Sequence, residues 1–159
     1  ALDMMQTIAN GGERVRFHVL GDRGAVAREE AGRIMSPTTA RTLTRMLEVT
    51  TRAGTSAEAF RAIDGKPKLR VAGKTGTAQK VDPRTGKYSS TLLVGSFLGY
   101  VPAEDPRLAM IVVIDEPRGE GWGGVVAAPV FRRVGEQVLN YLGVAVDEPI
   151  KLAMAALES

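Results

Sequence analysis

The segment VAGKTGTAQK, residues 71–80, decides how the rest of this 159-residue chain is interpreted. Its apolar start favours a β-strand, and Gly73 and Gly76 remove side-chain bulk where another group must approach the backbone closely. The segment also carries a cation, Lys74, with three hydrogen-bond donors, and two short hydroxyls, Thr75 and Thr77. These groups, together with bare backbone N–H groups, predict a receptor for a carboxylate and an oxyanion.

Two other interpretations of this segment come from its local composition. A Gly-Lys-Thr-Gly run is also typical of a basic turn between two strands, and composition alone leaves that interpretation open. A phosphate-binding loop is the second, because Gly-Lys-Thr ends the pattern G-x-x-x-x-G-K-[ST]. That pattern needs a glycine five residues before Gly73, and Lys68 occupies the position. The phosphate loop is therefore rejected.

Composition limits the classes of protein to which the chain could belong. A length of 159 residues suits one domain with a real core. The net charge of +3 is spread along the chain, so we expect a solvated surface and no nucleic-acid partner. The absence of cysteine excludes disulfides and thiolate metal sites, and the single histidine, His18, makes no metal site alone. We therefore expect neither a metal nor a cofactor.

The segments around residues 71–80 predict an α+β fold. A helix is expected over residues 1–10, and Ser36 and Pro37 begin a longer one that Gly54 ends. Thr55 and Glu58 have the spacing of a capping box, which predicts a second short helix. After the Lys74 strand come strands at residues 92–101 and 108–114, with connections too short for a crossover helix. We expect these three strands to form an antiparallel meander with helices packed on it.

Three finer expectations concern the second half of the chain. The continuous apolar run at residues 108–114 is the best candidate for the central buried strand. Trp122 is expected to be a packed anchor of a glycine-rich loop rather than a ligand platform. Pro129 is expected to open the final helix. The predicted inward face of that helix consists of Phe131, Val134, Val138, Tyr141 and Leu142.

Several segments, taken in order, resemble one known family. Lys74-Thr75-Gly76, followed by Thr77, is similar to the third signature motif of penicillin-binding proteins and serine β-lactamases. The segments MSPTTAR (35–41), DEPRG (115–119) and AAPVF (127–131) resemble the back half of a class B penicillin-binding protein, and the cell-division transpeptidase branch in particular. The resemblance covers residues 1–144 and leaves a C-terminal tail at 145–159. It implies a serine β-lactamase/penicillin-binding transpeptidase-like fold.

The resemblance also implies a chemistry. Such enzymes form an acyl-enzyme on the serine of an S-x-x-K motif, use the D-Ala-D-Ala end of a peptidoglycan stem peptide and cross-link it to a second stem, and are acylated by penicillins. By this likeness Lys74 would donate to the serine of an S-x-N motif, and Thr75 and Thr77 would hold the substrate carboxylate. The N–H of Thr77 would be an oxyanion donor, and Gly76 would keep the strand clear for the substrate. Alternation places Lys74 and Gly76 on one sheet face and the threonines on the other, so one site can use all four only along the strand's edge.

The chain departs from the family pattern in one large respect. No serine is followed three places later by lysine or two places later by asparagine, so S-x-x-K and S-x-N are both missing. The chain begins at Ala1 without an initiator methionine, and we expect it to be the C-terminal part of a transpeptidase domain without its nucleophile. Expected partners are the stem peptide, β-lactams, the missing N-terminal half and divisome membrane proteins. The expected location is the periplasm, with an inner-membrane anchor in the absent part.

Two alternative functions stay open at this point. A stand-alone module could hold peptide carboxylates on the Lys74 strand without any chemistry. A serine β-lactamase fragment would also carry this motif. The deacylating carboxylate of class A enzymes lies upstream of the motif, so its absence from this sequence does not exclude a β-lactamase.

Overall fold

A three-stranded antiparallel sheet forms the centre of the structure, a computed structural model that describes residues 1–15, 30–61 and 69–144. The strands are β1 (Glu13–Val15), β2 (Glu30–Arg33), β3 (Ala72–Val81), β4 (Tyr88–Val101) and β5 (Leu108–Asp115). The helices are α1 (Leu2–Ala9), α2 (Pro37–Ala53), α3 (Gly123–Val126) and α4 (Ala128–Tyr141), with a single 3-10 turn at Glu58–Phe60. The predicted α+β fold is confirmed, while His18 and the tail at 145–159 lie outside the described residues.

The predicted meander is confirmed, but its middle strand is not the predicted one. The order is β3-β4-β5, and both pairs are antiparallel. The prediction that residues 108–114 are central was therefore wrong: within the described residues β5 lies at an edge. Its apolar run alternates between two environments, since Met110 and Val112 pack against the core whereas Ile111 and Val113 are exposed. A run of apolar residues shows that a strand has two apolar faces, not that both are covered.

The main core joins β4 to α4 through three aromatic rings. Phe97 lies with its ring centroid 5.2 Å from that of Phe60 and 4.8 Å from that of Phe131, and all three side chains are buried. The inward face of α4 consists of Ala128, Phe131, Arg132, Gly135 and Leu139. The predicted inward positions of Tyr141 and Leu142 were wrong, because these side chains are 89% and 52% exposed at the end of the helix.

Helix α2 begins and ends as the sequence predicts and packs against the start of β3. The Ser36 hydroxyl accepts a hydrogen bond from the Thr39 N–H at 3.0 Å, and Gly54 closes the helix. Glu48, almost fully buried, binds the guanidinium of Arg70 through both carboxylate oxygens at 2.9 and 3.0 Å. Such two-point pairs fix geometry as well as charge, so this pair holds the entry of β3 against α2.

The predicted capping box after α2 was wrong. The 3-10 turn has no side-chain cap at its N-terminus, and Glu58 instead pairs with Arg61 at 2.7 Å. The Thr55 hydroxyl lies 2.7 Å from the hydroxyl of Thr75 on β3. The Thr-x-x-Glu spacing is local, and it cannot show that the hydroxyl has a partner 20 residues away.

Among the described residues, no helix combines the length and the apolar character that a bilayer crossing requires.

Candidate functional site

The outer edge of β3, the edge that faces away from β4, is the candidate site. The Thr51 hydroxyl of α2 donates to the carbonyl of Val71 at 2.7 Å, and the Thr50 hydroxyl donates to that of Gly73. In an antiparallel ladder a residue directs both its N–H and its C=O towards the same neighbour. The odd-numbered residues of β3 therefore present their backbone groups to the outer edge, and the N–H groups of Thr75 and Thr77 lie on it.

Only the first part of this edge is covered by α2. Beyond Gly73, none of the described strands pairs with the outer edge of β3. A peptide could therefore add to β3 as a further strand from residue 75 onwards, with main-chain hydrogen bonds providing the pairing.

Lys74 bends from its own face of the sheet onto this edge. Its ammonium Nζ donates to the carbonyl of Thr75 at 2.9 Å and to the Thr75 hydroxyl at 3.2 Å. Simple alternation puts these two side chains on opposite faces, and the contact at the edge brings them together. Lys74 and Thr75 therefore lie together at the strand's edge, where a single site could use both.

Lys80, on the same strand, is a useful contrast. Its ammonium is held by Asp115 at 3.0 Å and by Glu116 at 2.6 Å, so two carboxylates oppose its charge. These hydrogen bonds, that of Glu116 first and that of Asp115 second, raise the pKa of Lys80 above its ordinary value. No ion pair among the described residues involves Lys74, whose charge is directed at the edge instead.

Each of the two threonines has a partner from another segment. The Thr77 hydroxyl accepts a hydrogen bond from the N–H of Gly123 at 3.2 Å, and this leaves its own proton available to a ligand. The Thr75 hydroxyl meets that of Thr55 at 2.7 Å. The two hydroxyls predicted to hold a carboxylate are therefore both positioned from outside the strand.

Two glycines, Gly76 and Gly123, are closely packed beside these hydroxyls. A Cβ on Gly76 would come within 2.6 Å of the Ser96 hydroxyl, and one on Gly123 would come within 2.5 Å of the Gly76 carbonyl oxygen. Real Cβ atoms do not approach other atoms this closely, so Gly123 allows α3 to lie against β3, and Gly76 leaves room for the Ser96 side chain of β4.

Trp122 was wrongly predicted to be a packed loop anchor. The residue is 61% exposed, although it directly precedes the Gly123 that contacts Thr77. An exposed indole one residue from the site is available to a ligand, whereas a packed anchor would not be. The close contacts of this loop are made by the backbone instead, at Gly123 against β3 and β4 and at Gly124 against Thr55.

The site is an open edge rather than a cavity. A groove of about 260 Å³ between α1, α2 and the turn at 102–106 is lined by none of the candidate site residues on β3. No group of three metal-ligating side chains occurs among the described residues. The chemistry that the edge can supply is that of a cation, two hydroxyls and backbone N–H donors.

The sequence identified the strand residues of this site but missed the residues that support them. Lys74, Thr75, Gly76 and Thr77 were all predicted, whereas Thr55 and Gly123 were not. The doubled glycine at 123–124 was the available signal for a close backbone approach. No local signal distinguished Thr55 from a helix cap.

Comparison with known proteins places this geometry in a family. The family model "Penicillin binding protein transpeptidase domain" matches residues 1–136. A probable peptidoglycan D,D-transpeptidase PenA from Neisseria flavescens is 40% identical over 119 residues, which are 74% of this chain and 28% of that protein. The chain thus spans less than a third of the length of this curated relative.

Solved structures agree with the sequence relatives. The transpeptidase domain of Burkholderia pseudomallei penicillin-binding protein 3 superposes with a TM-score of 0.75 at 34% identity, covering 93% of this chain and 43% of that one. Penicillin-binding protein 3 of Mycobacterium tuberculosis, crystallised in complex with aztreonam, gives 0.73 at 30% identity, covering 93% and 36%. The fold is therefore that of the penicillin-binding transpeptidases, and this chain belongs to the family of penicillin-binding protein transpeptidase domains, in its class B group.

Proposed function

We propose that this chain is the C-terminal portion of a peptidoglycan D,D-transpeptidase and supplies its carboxylate and oxyanion site. The observation that carries the proposal is the outer edge of β3, where two hydroxyls, the N–H of Thr77 and an ammonium that forms no ion pair with the described residues occur within four residues. The C-terminal portion of the transpeptidase domain would run over residues 1–144, followed by a tail at 145–159.

The carboxylate end of a stem peptide would bind to the hydroxyls of Thr75 and Thr77. The Thr77 hydroxyl already accepts from Gly123, so its proton is free to donate to a carboxylate oxygen. Lys74 adds positive potential at the same place, and charge-assisted hydrogen bonds of this kind are the stronger ones. Gly76 leaves the substrate room to lie along the strand.

The acyl carbonyl of the substrate would be attacked by a serine that this chain does not contain. As negative charge develops on the carbonyl oxygen, the N–H of Thr77 would donate to it, since that group faces the outer edge. Lys74 would donate to a serine of an S-x-N motif supplied by the rest of the domain. Acylation would release D-alanine, and the amine of a second stem peptide would then take the acyl group to form the cross-link.

The names of the relatives support the substrate and the class of inhibitor. A relative is named a peptidoglycan D,D-transpeptidase, and a related structure contains aztreonam, a β-lactam. We therefore propose β-lactams as acylating inhibitors and stem peptides ending in D-Ala-D-Ala as substrates. A function in cell division, contacts with divisome membrane proteins and a periplasmic, membrane-anchored location belong to the same proposal.

The test is acylation by a fluorescent penicillin in a protein that joins this chain to the remaining transpeptidase segments. Lys74→Ala should lower the acylation rate by about 100- to 1,000-fold, the usual loss when one transition-state donor is removed. Lys80→Ala is the matched control, because it removes the same side chain from the same strand but from an ion pair with Asp115 and Glu116. It should acylate within about threefold of the unaltered protein.

The same experiment separates the alternatives. Equal rates in the two lysine variants would remove Lys74 from the mechanism. Non-covalent retention of peptide without acylation would indicate a binding module, and rapid hydrolysis of the acyl-enzyme would indicate a β-lactamase.

A further inference from the structure

Thr55 lies in the turn between α2 and the 3-10 turn, outside the segments that resemble the penicillin-binding family. Its hydroxyl is 2.7 Å from the hydroxyl of Thr75, and either oxygen could be the donor. Because Thr75 is one of the two proposed carboxylate ligands, the direction of this hydrogen bond decides what Thr75 can do.

The hydrogen-bonding capacity of Thr75 is almost fully used inside the protein. A hydroxyl has one proton and two acceptor positions. Lys74 donates to the Thr75 oxygen at 3.2 Å, which occupies one acceptor position. If Thr75 gave its only proton to Thr55, it would present an oxygen without a proton to an incoming carboxylate, and two acceptors repel each other.

The opposite direction makes Thr75 a donor. If Thr55 donates, it fills the second acceptor position of Thr75, and the Thr75 proton has no partner in the contacts described. A bound carboxylate would then be the acceptor for that proton. Thr55 would then act through Thr75.

The turn that carries Thr55 is held by its neighbours. Ser56 is 1% exposed, and its hydroxyl donates to the Thr50 carbonyl of α2 at 3.4 Å. On the other side Gly124 packs so closely that a Cβ there would come within 2.9 Å of the Thr55 carbonyl carbon. The position of the Thr55 backbone is thus set by α2 and α3 together, and its side chain can hold a fixed orientation towards β3.

We propose that Thr55 is a positioning residue that donates to the Thr75 hydroxyl and so turns the Thr75 proton outward, towards the carboxylate of the substrate or of a β-lactam. This inference rests on the proposed function. It assigns an effect on carboxylate recognition to the turn that follows α2, in addition to the contacts that α2 itself makes with Val71 and Gly73.

The test compares two ligands that differ only at the carboxylate. In a protein that joins this chain to the remaining transpeptidase segments, acylation rates are measured for benzylpenicillin and for its methyl ester. Thr55→Val keeps the side-chain shape and removes the hydroxyl. It should slow acylation by the free acid about tenfold, the lower range for a hydrogen bond to a charged group, and slow the ester by less than twofold.

Two further variants complete the design. Thr55→Ser keeps the hydroxyl and should restore the rate with the free acid to within about threefold. Thr42→Val is the matched control, because the Thr42 hydroxyl donates only to the Thr38 carbonyl of its own helix, and both rates should stay unchanged.

Two other outcomes for Thr55→Val would overturn the inference. Equal losses of acylation rate for the acid and the ester in Thr55→Val would indicate general damage to the site. Unchanged rates for both ligands would show that Thr75 binds the carboxylate without a hydrogen bond from Thr55. A lack of acylation in the unaltered protein would instead overturn the proposed function itself, so the two failures are distinguishable.

Discussion

Gly123→Ala tests whether the approach of α3 to β3 sets the site. The added methyl would lie within 2.5 Å of the Gly76 carbonyl oxygen and close to the backbone oxygen of Ser96. Ordinary contact begins at about 3.4 Å, so α3 must retreat by roughly 1 Å. Both obstacles are main-chain atoms inside the β3–β4 ladder, and neither can rotate away.

The retreat should affect the chemistry more than the fold. It would stretch the 3.2 Å hydrogen bond from the Gly123 N–H to the Thr77 hydroxyl beyond a useful length. A misplacement of about 1 Å at a reacting centre commonly costs about 100-fold in rate. We therefore expect Gly123→Ala to lower penicillin acylation by about 100-fold in the complete domain.

Gly135→Ala is the matched control for this change. Its added methyl would lie 3.5 Å from a methyl of Val101, which is ordinary contact, and it replaces a glycine inside α4. It should leave acylation unchanged and raise stability by about 0.5–1 kcal/mol, since alanine favours the helix. Acylation rates and melting temperatures of both variants show whether the added methyl affects the site, the fold or both. A folded Gly123→Ala protein that acylates within threefold of normal would refute the argument from crowding.

Two further predictions follow from the sequence and the core. The isolated 159-residue chain has no S-x-x-K serine, so its mass should not increase on incubation with penicillin. It should bind a D-Ala-D-Ala peptide with a Kd of about 1 mM at best, because electrostatic contacts on a solvent-exposed edge contribute little binding free energy. A stoichiometric mass increase in the mass spectrum would show that one of its own serines is a nucleophile. Burial raises the pKa of Tyr100, whose hydroxyl donates to Thr44 at 2.7 Å, so the folded state holds this proton to a higher pH than the unfolded chain does. The stability that this provides is complete below the ordinary tyrosine pKa of about 10 and is lost as pH rises through the folded value. Melting temperatures of the complete domain should therefore fall less steeply above about pH 10 in Tyr100→Phe than in the unaltered protein, and identical slopes would contradict the prediction.

Features encoded by neighbouring residues were predictable from the sequence. The bounds of α2 follow from the Ser36 cap and from Gly54, and the meander follows from connections too short for a crossover. The four strand residues of the candidate site were predicted from a motif that is contiguous in sequence.

Features that depend on distant partners were not predictable in the same way. The Thr55 hydroxyl contacts Thr75 instead of capping the 3-10 turn that follows it, and no residue within three positions of Thr55 indicates this contact. The apolar run of β5 looks the same whether one or both of its faces are covered, so the hydrophobic pattern placed it in the middle of the sheet. Trp122 is exposed, and the two glycines after it make the close contacts of the loop, with Gly123 against the sheet and Gly124 against Thr55.

The three-ring core of Phe60, Phe97 and Phe131 has a consequence for how the chain is made. Phe131 follows Phe97 by 34 residues, so the β3–β4 hairpin leaves the ribosome before α4 does. At about 5–20 residues per second, the face of β4 that carries Phe97 waits roughly 2–7 seconds for its cover. During synthesis an apolar strand surface and the outer edge of β3 are exposed together, and this interval is when the nascent chain most needs protection from aggregation.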